Sequence, residues 1–261
     1  MPKPPRRTRT AHLTDMVVMD TITTIESPDL ADIGEADLLR LMAWLSPSFP
    51  VGAFSYSHGL EYAVEAGRVT DRDGLLAWSS EIVCQGSGRV DACLFRASYE
   101  ATFKGDRDLM GWALERGDTM RATRELGVES EGQGRAFTDM VAGPWPAREY
   151  DWLRELAAEL DRPAVYPVAV ALAAAAYKIP ERAALTAYLH AFGANLVSAG
   201  VRLIPLGQSD GLQTIAELEP VVERAVTAAM VDTRDDIGSG TLMADWASAR
   251  HETQYTRLFR S

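Results

Sequence analysis

An all-α fold is predicted for this 261-residue chain, and three observations predict it. Apolar residues return at i, i+3, i+4 and i+7 in one segment after another, the period of a helix face. The stretch Val168 to Ala176 is small and apolar throughout, which suits a helix buried on every side. Strand signals are scarce. The best of them, Val201 to Leu206, contains Pro205 and has no partner, so it is expected to be an extended connector. The expected architecture is a single-domain helical bundle at 35–249, with a flexible, disordered N-terminal extension at 1–34 and a C-terminal tail at 250–261.

Each element has its own warrant. Leu38, Leu39, Leu41, Met42 and Leu45 follow the helical period and open the domain. The run from Ser46 to Ser57 breaks that helix with Pro47, Pro50 and Gly52, yet carries aromatics and hydroxyls that an ordinary solvent loop lacks. Ser55 and Ser57 are placed to cap a helix through Leu60 and Tyr62. Thr70 with Asp73 makes a capping-box pattern ahead of Leu75, Leu76, Trp78, Ile82 and Val83. Leu94, Phe95, Ser98 and Tyr99 repeat the period, as do Leu109, Trp112 and Ala113 after the cap candidate Asp106. Trp152, Leu153, Leu156 and Leu160 form a further helix with an acidic face. Beyond Pro180, Leu185, Tyr188, Leu189, Phe192, Leu196 and Ala199 give a second largely apolar helix, so the two in succession read as the hub of the bundle. Pro205 to Gly211 then forms a turn opening a helix of Ile215, Leu218 and Val222.

Composition excludes several functions. The chain is 47% hydrophobic and 24% charged, which are globular values. A formal charge of −11 opposes nucleic-acid binding, which needs a basic surface to displace phosphate counterions. Cys84 and Cys93 make no CxxC pair; they suit a reducing, cytoplasmic setting as small buried hydrophobes in helices. No apolar run approaches the ~18–20 residues of a membrane span. Lys3, Arg6, Arg7 and Arg9 precede no signal core, since Met16 to Met19 is too short for one.

Chemistry is also sparse. No P-loop is present: Gly86-Ser87-Gly88 and Gly238-Ser239-Gly240 lack its lysine and spacing and read as turns. Ser55 or Ser57 beside His58 could suggest a serine hydrolase, but the nucleophile-elbow motif is missing. The histidines His12, His58, His190 and His251 stand apart in sequence, without HxH or HExxH spacing, so no metal site, cofactor or catalytic residue is assigned. His190 is expected to be hydrogen-bonded within its helix, and Asp235 and Asp236 read as cap or dipole partners. In the tail, Tyr255, Leu258 and Phe259 fall at i, i+3, i+4, a helix face, with Arg250, Arg257 and Arg260 adding positive charge. Such a tail either packs on its own domain or docks on a partner, since short apolar termini fray unless covered.

Three stretches together resemble one family. Ser46 to Glu61, SPSFPVGAFSYSHGLE, is similar to the SPxxPxGxFSxSxGLE pattern of the UreF urease accessory proteins. Ala194 to Gly211, ANLVSAGVRLIPLGQSDG, is similar to that family's NLVSAxVRLxPLGQTDG, and HETQYTRLFRS resembles its terminus. Arg121 to Leu126, RATREL, adds a weaker match, and the resemblance runs from about Glu35 to the last residue. Ser209 departs from the family's usual threonine, and His58 stands where glutamine or tyrosine is often found, so no role is carried onto it. The resemblance implies a helical, non-enzymatic scaffold or chaperone in the cytoplasm. It would form a homodimer and assemble with UreD (also called UreH) and the GTPase UreG. That assembly would support GTP-dependent insertion of nickel into the urease apoprotein, the step of metallocenter assembly in urease maturation. Partner-binding roles then fall on Tyr255, Arg257, Leu258, Phe259 and Arg260 in the tail, on Gln208 and Asp210 in the turn, and on Phe54 and Tyr56 in the first loop. A serine hydrolase and a stand-alone nickel carrier remain the alternatives.

Overall fold

A computed structural model describes residues 1–2 and 33–261, so the extension expected over 1–34 lies almost wholly outside the described residues. The described chain is helical and contains no strand. In order it forms α1 (Glu35–Trp44), α2 (Leu60–Glu65), α3 (Arg72–Gln85), α4 (Ser87–Lys104), α5 (Arg107–Thr119), α6 (Arg124–Ala142), α7 (Glu149–Leu160), α8 (Tyr166–Ala176), α9 (Glu181–Leu203), α10 (Gln208–Val231) and α11 (Leu242–His251). Single 3-10 turns lie at Ala53–Ser55 and Arg234–Asp236.

The hub is α8. Val168 to Ala175 are all buried, and α4, α6, α7 and α9 pack around them. Alanine-rich composition explains the crowding, because short side chains let the neighbouring backbones come close. Gly134 of α6 makes its own close approach to the chain leading into α8, where a Cβ would lie 2.1 Å from the Ala164 carbonyl oxygen. On the other side α9 packs against α3, α4 and α10, while α11 packs on α2.

Local expectations met the structure unevenly. Asp106 caps α5 as expected, accepting from the Leu109 amide at 2.9 Å. The cap of α3 is Asp71 rather than Thr70, its carboxylate accepting from the Gly74 amide at 2.8 Å. Three of the five residues expected on the α1 face point outward: Leu38, Leu39 and Met42 are exposed, while Leu41 and Trp44 turn inward. The connector expected over Val201 to Leu206 is shorter, because α9 continues through Leu203. Cys84 and Cys93 are free thiols, half-buried rather than buried, and burial pushes both thiols up. His190 is exposed on α9 instead of being tied into its helix.

The largest departure is the tail. Helix α11 ends at His251, and residues 252–261 form turns and irregular chain. The i, i+3, i+4 face of Tyr255, Leu258 and Phe259 therefore never forms. Amides that a helix would have satisfied internally find distant acceptors instead, and the tail folds back onto α2 and the loop before it.

Candidate partner-docking site

The loop 46–59, the end of α9, the start of α6 and the tail converge on one corner of the bundle. Asn195 of α9 donates to the Ala53 carbonyl at 2.9 Å, and Arg202 donates to the Phe54 carbonyl at 2.9 Å. The Arg202 guanidinium also lies 4.4 Å from the centroid of the Phe259 ring, a cation–π contact. The Arg260 amide donates to the Ser55 carbonyl at 2.8 Å, and the Ser57 amide donates to a Ser261 main-chain oxygen at 2.9 Å. Stretches separated by up to about 200 residues thus meet edge to edge, held mainly through main-chain groups.

Glu61 is the centre of this corner. It is 7% exposed, and a carboxylate so far from water needs donors. Three are supplied. The Leu258 amide donates to Oε1 at 2.6 Å, the Phe259 amide to Oε2 at 2.9 Å, and His251 Nε2 faces Oε2 at 3.1 Å. The other ring nitrogen of His251 faces Glu125 Oε2 at 2.7 Å, and Arg257 pairs with Glu125 Oε1 at 2.6 Å. Each imidazole nitrogen thus faces a carboxylate, and the ring is wholly buried between the two.

Gly59 lets this packing happen. Its φ is +74°, in the left-handed region that glycine tolerates, and a Cβ there would lie 2.5 Å from the Ser248 nitrogen of α11. The α2 N-terminus can therefore approach α11, which carries His251 to Glu61.

Beside the tail opens a cleft of about 1020 Å³, with His58, Asp91, Arg121, Tyr166, Tyr188 and Phe192 on its wall. Arg121 donates to Asp91 at 2.7 Å and the Tyr188 hydroxyl to Asp91 at 2.6 Å, all of them buried. Burial, and then Asp91, hold the Tyr188 hydroxyl well above the ordinary tyrosine value. His58 Nε2 lies 3.0 Å from Glu129 Oε1, and its Nδ1 lies 3.4 Å from the Ser87 hydroxyl. Burial works to lower the His58 value, but the charge and hydrogen bond of Glu129, with Asp91 behind it, outweigh that and the opposing Arg121, so the net shift is upward.

The sequence-predicted residues divide accordingly. Tyr255 is fully exposed and Leu258 is 66% exposed, whereas Phe259 is buried at 4% and anchors the tail. Arg257 is on the surface but already paired with Glu125. Arg260 contributes its amide to the bond with Ser55, with an exposed side chain. Phe54 is exposed and Tyr56 is buried. Asp210 and Gln208 sit apart at the start of α10, where the Asp210 carboxylate accepts from the Gly207 amide at 2.8 Å as a helix cap. The pairing of Ser55 or Ser57 with His58 does not occur. Ser57 is buried, its hydroxyl donates to Ser261 and accepts from the Glu61 amide, and the hydroxyl that faces His58 belongs to Ser87. Sequence reasoning missed Glu125 and Glu129, which read locally as ordinary helix glutamates, and gave Glu61 no role although it closes the SPSFPVGAFSYSHGLE stretch. Among the described residues no group of three or more His, Cys, Asp or Glu side chains could hold a metal ion, and no helix is long and apolar enough to cross a membrane.

Comparisons with known proteins bear on what this corner is for. The UreF family model matches residues 69–219. A urease accessory protein UreF of Bradyrhizobium diazoefficiens is 44% identical over 245 residues, spanning 94% of this chain and 100% of that protein. The protein of the same name from Bradyrhizobium sp. BTAi1 is 45% identical over 235 residues, spanning 90% and 96%. That from Rhodopseudomonas palustris BisA53 is 44% identical over 226 residues, spanning 87% and 94%.

Proposed function

We propose, from the premise that this chain belongs to the UreF family of urease accessory proteins, that it is a non-enzymatic scaffold for nickel insertion into urease. In this reading it assembles in the cytoplasm with a UreD-type (UreH-type) accessory protein and a UreG-type GTPase, and the complex acts on the urease apoprotein. A homodimer forms its core. The observation that carries the reading is the folded tail: Phe259 and Ser261 are fixed to the bundle while Tyr255 and Leu258 project outward. An aromatic and a leucine held on an ordered backbone are a preorganised anchor, and anchors of this kind dominate interface energetics. Arg257 beside them gives one guanidinium nitrogen to Glu125, and its remaining N–H groups are the donors offered to a partner carboxylate.

Dedicated catalytic machinery is not required by this role, since the nucleotide is held by the partner. The test is co-expression with the urease structural and accessory proteins. Purified complex should contain UreD-type and UreG-type chains, and urease activation by nickel and GTP should require this protein. Failure to co-purify with either partner, with urease activated equally well in its absence, would overturn the reading.

A further inference from the structure

We propose that His58 and Glu129 form a pH-sensitive clasp on the C-terminal tail, closed while His58 carries a proton and loosened when it gives the proton up. The claim concerns the isolated chain and does not depend on the accessory role.

Glu129 stands between the cleft and the tail. Its Oε1 takes His58 Nε2 at 3.0 Å and Gln133 Nε2 at 3.1 Å, and its Oε2 takes the Ser261 hydroxyl at 2.9 Å. The carboxylate is 4% exposed, and Ser261 itself is wholly buried over it. Docking the tail therefore removes water from Glu129, and a buried carboxylate deprived of water needs a compensating positive charge. His58 supplies it. With His58 neutral, Glu129 keeps only dipolar donors, and the docked state becomes costlier relative to an open one in which water returns.

The surroundings allow His58 to change state without losing its place. Its backbone sits at φ +51°, and its ring packs against the Phe192 ring of α9 in a T-shaped pair with centroids 5.0 Å apart. The Ser87 hydroxyl from α4 can accept from Nδ1 in the charged ring or donate to it in the neutral one. The other charges that face it are Asp91 of α4, which favours the proton, and Arg121 ahead of α6, which opposes it. Because the folded value lies above the ordinary 6.5, the contribution to docking is complete below about that pH and is lost as the pH rises through the folded value. Linkage makes the effect reciprocal: docking favours the proton, and the proton favours docking.

Amide hydrogen exchange on the full chain between pH 5.5 and 8.5, normalised to the intrinsic rate at each pH, tests this. Protection of the tail amides of Leu258, Phe259 and Arg260 should fall several-fold with rising pH, while protection in α8 stays level. His58→Gln keeps a donor to Glu129 without the charge, and should show tail protection independent of pH. Ser261→Ala removes only the tail hydroxyl from Glu129. It should lower protection at acid pH and flatten the slope, which keeps the test open if His58→Gln fails to fold. Level tail protection in the wild type would overturn the clasp. So would a slope that survives in both variants, since the pH dependence would then arise outside the His58–Glu129 pair.

Discussion

Glu61 in the second helix holds the main-chain amide of Phe259 at 2.9 Å, across 198 residues of sequence. The same carboxylate takes the Leu258 amide and faces His251, so one buried side chain joins α2, the end of α11 and the tail. This relationship makes the tail part of the folded domain while leaving two of its apolar side chains outside.

Glu61→Gln should therefore loosen the tail without dissolving the bundle. Glutamine offers one acceptor oxygen where three donors converge, and its amide nitrogen would confront another donor. Losing a buried hydrogen bond to a charged group costs about 1.5–3 kcal/mol. Denaturant unfolding should register a loss in that range, and trypsin should cleave after Arg257 faster than in the wild type. Wild-type cleavage kinetics would show that the carboxylate does not hold the tail.

Phe259→Ala tests the same attachment by packing alone. Truncating a fully buried phenylalanine costs about 3–5 kcal/mol. A terminal segment can detach, so the loss should appear as accelerated exchange of the tail amides, with helix content by circular dichroism unchanged. If the whole protein melted at much lower temperature instead, the tail would be a structural part of the core.

Gly59→Ala should be the most damaging single methyl group in this corner. A left-handed backbone costs an alanine about 1–2 kcal/mol, and its Cβ would lie 2.5 Å from Ser248 of α11. Thermal melting should fall by several degrees, since about 1 kcal/mol shifts a domain of this size by roughly 2–4 °C. An unchanged melting temperature would mean that α11 shifts freely, and with it His251.

The parts of this fold that sequence made legible are those governed by near neighbours. The run from Val168 to Ala176 announces its own burial, because no polar residue within it could face water. Asp106 sits three residues before the amide it caps. The tail was illegible for the opposite reason. Its spacing of Tyr255, Leu258 and Phe259 fits a helix, but acceptors on Glu61 and Ser55, some 200 residues upstream, compete for its amides and win. His58 and His251 looked isolated because their partners, Glu129, Glu61 and Glu125, become neighbours only after folding. Even Thr70 and Asp71, both able to cap α3, are separated only by which one the backbone leaves just outside the first turn.

Nickel should bind the isolated chain weakly. Both nitrogens of His251 are engaged by carboxylates and those of His58 by Glu129 and Ser87, so neither ring is presented to a cation without dismantling the corner. Calorimetry should show no submicromolar site. A tight site with one nickel per chain would favour a carrier over a scaffold.

The central claim is that the folded tail presents Tyr255 and Leu258 to partners, and the double substitution Tyr255→Ala/Leu258→Ala tests it most directly. Both side chains are exposed, so the variant should melt within about 0.5 kcal/mol of the wild type in stability terms. Its yield of co-purified UreD-type and UreG-type chains from cells expressing the urease proteins should collapse. Recovery of both partners at the wild-type yield, from a variant that folds normally, would contradict the account.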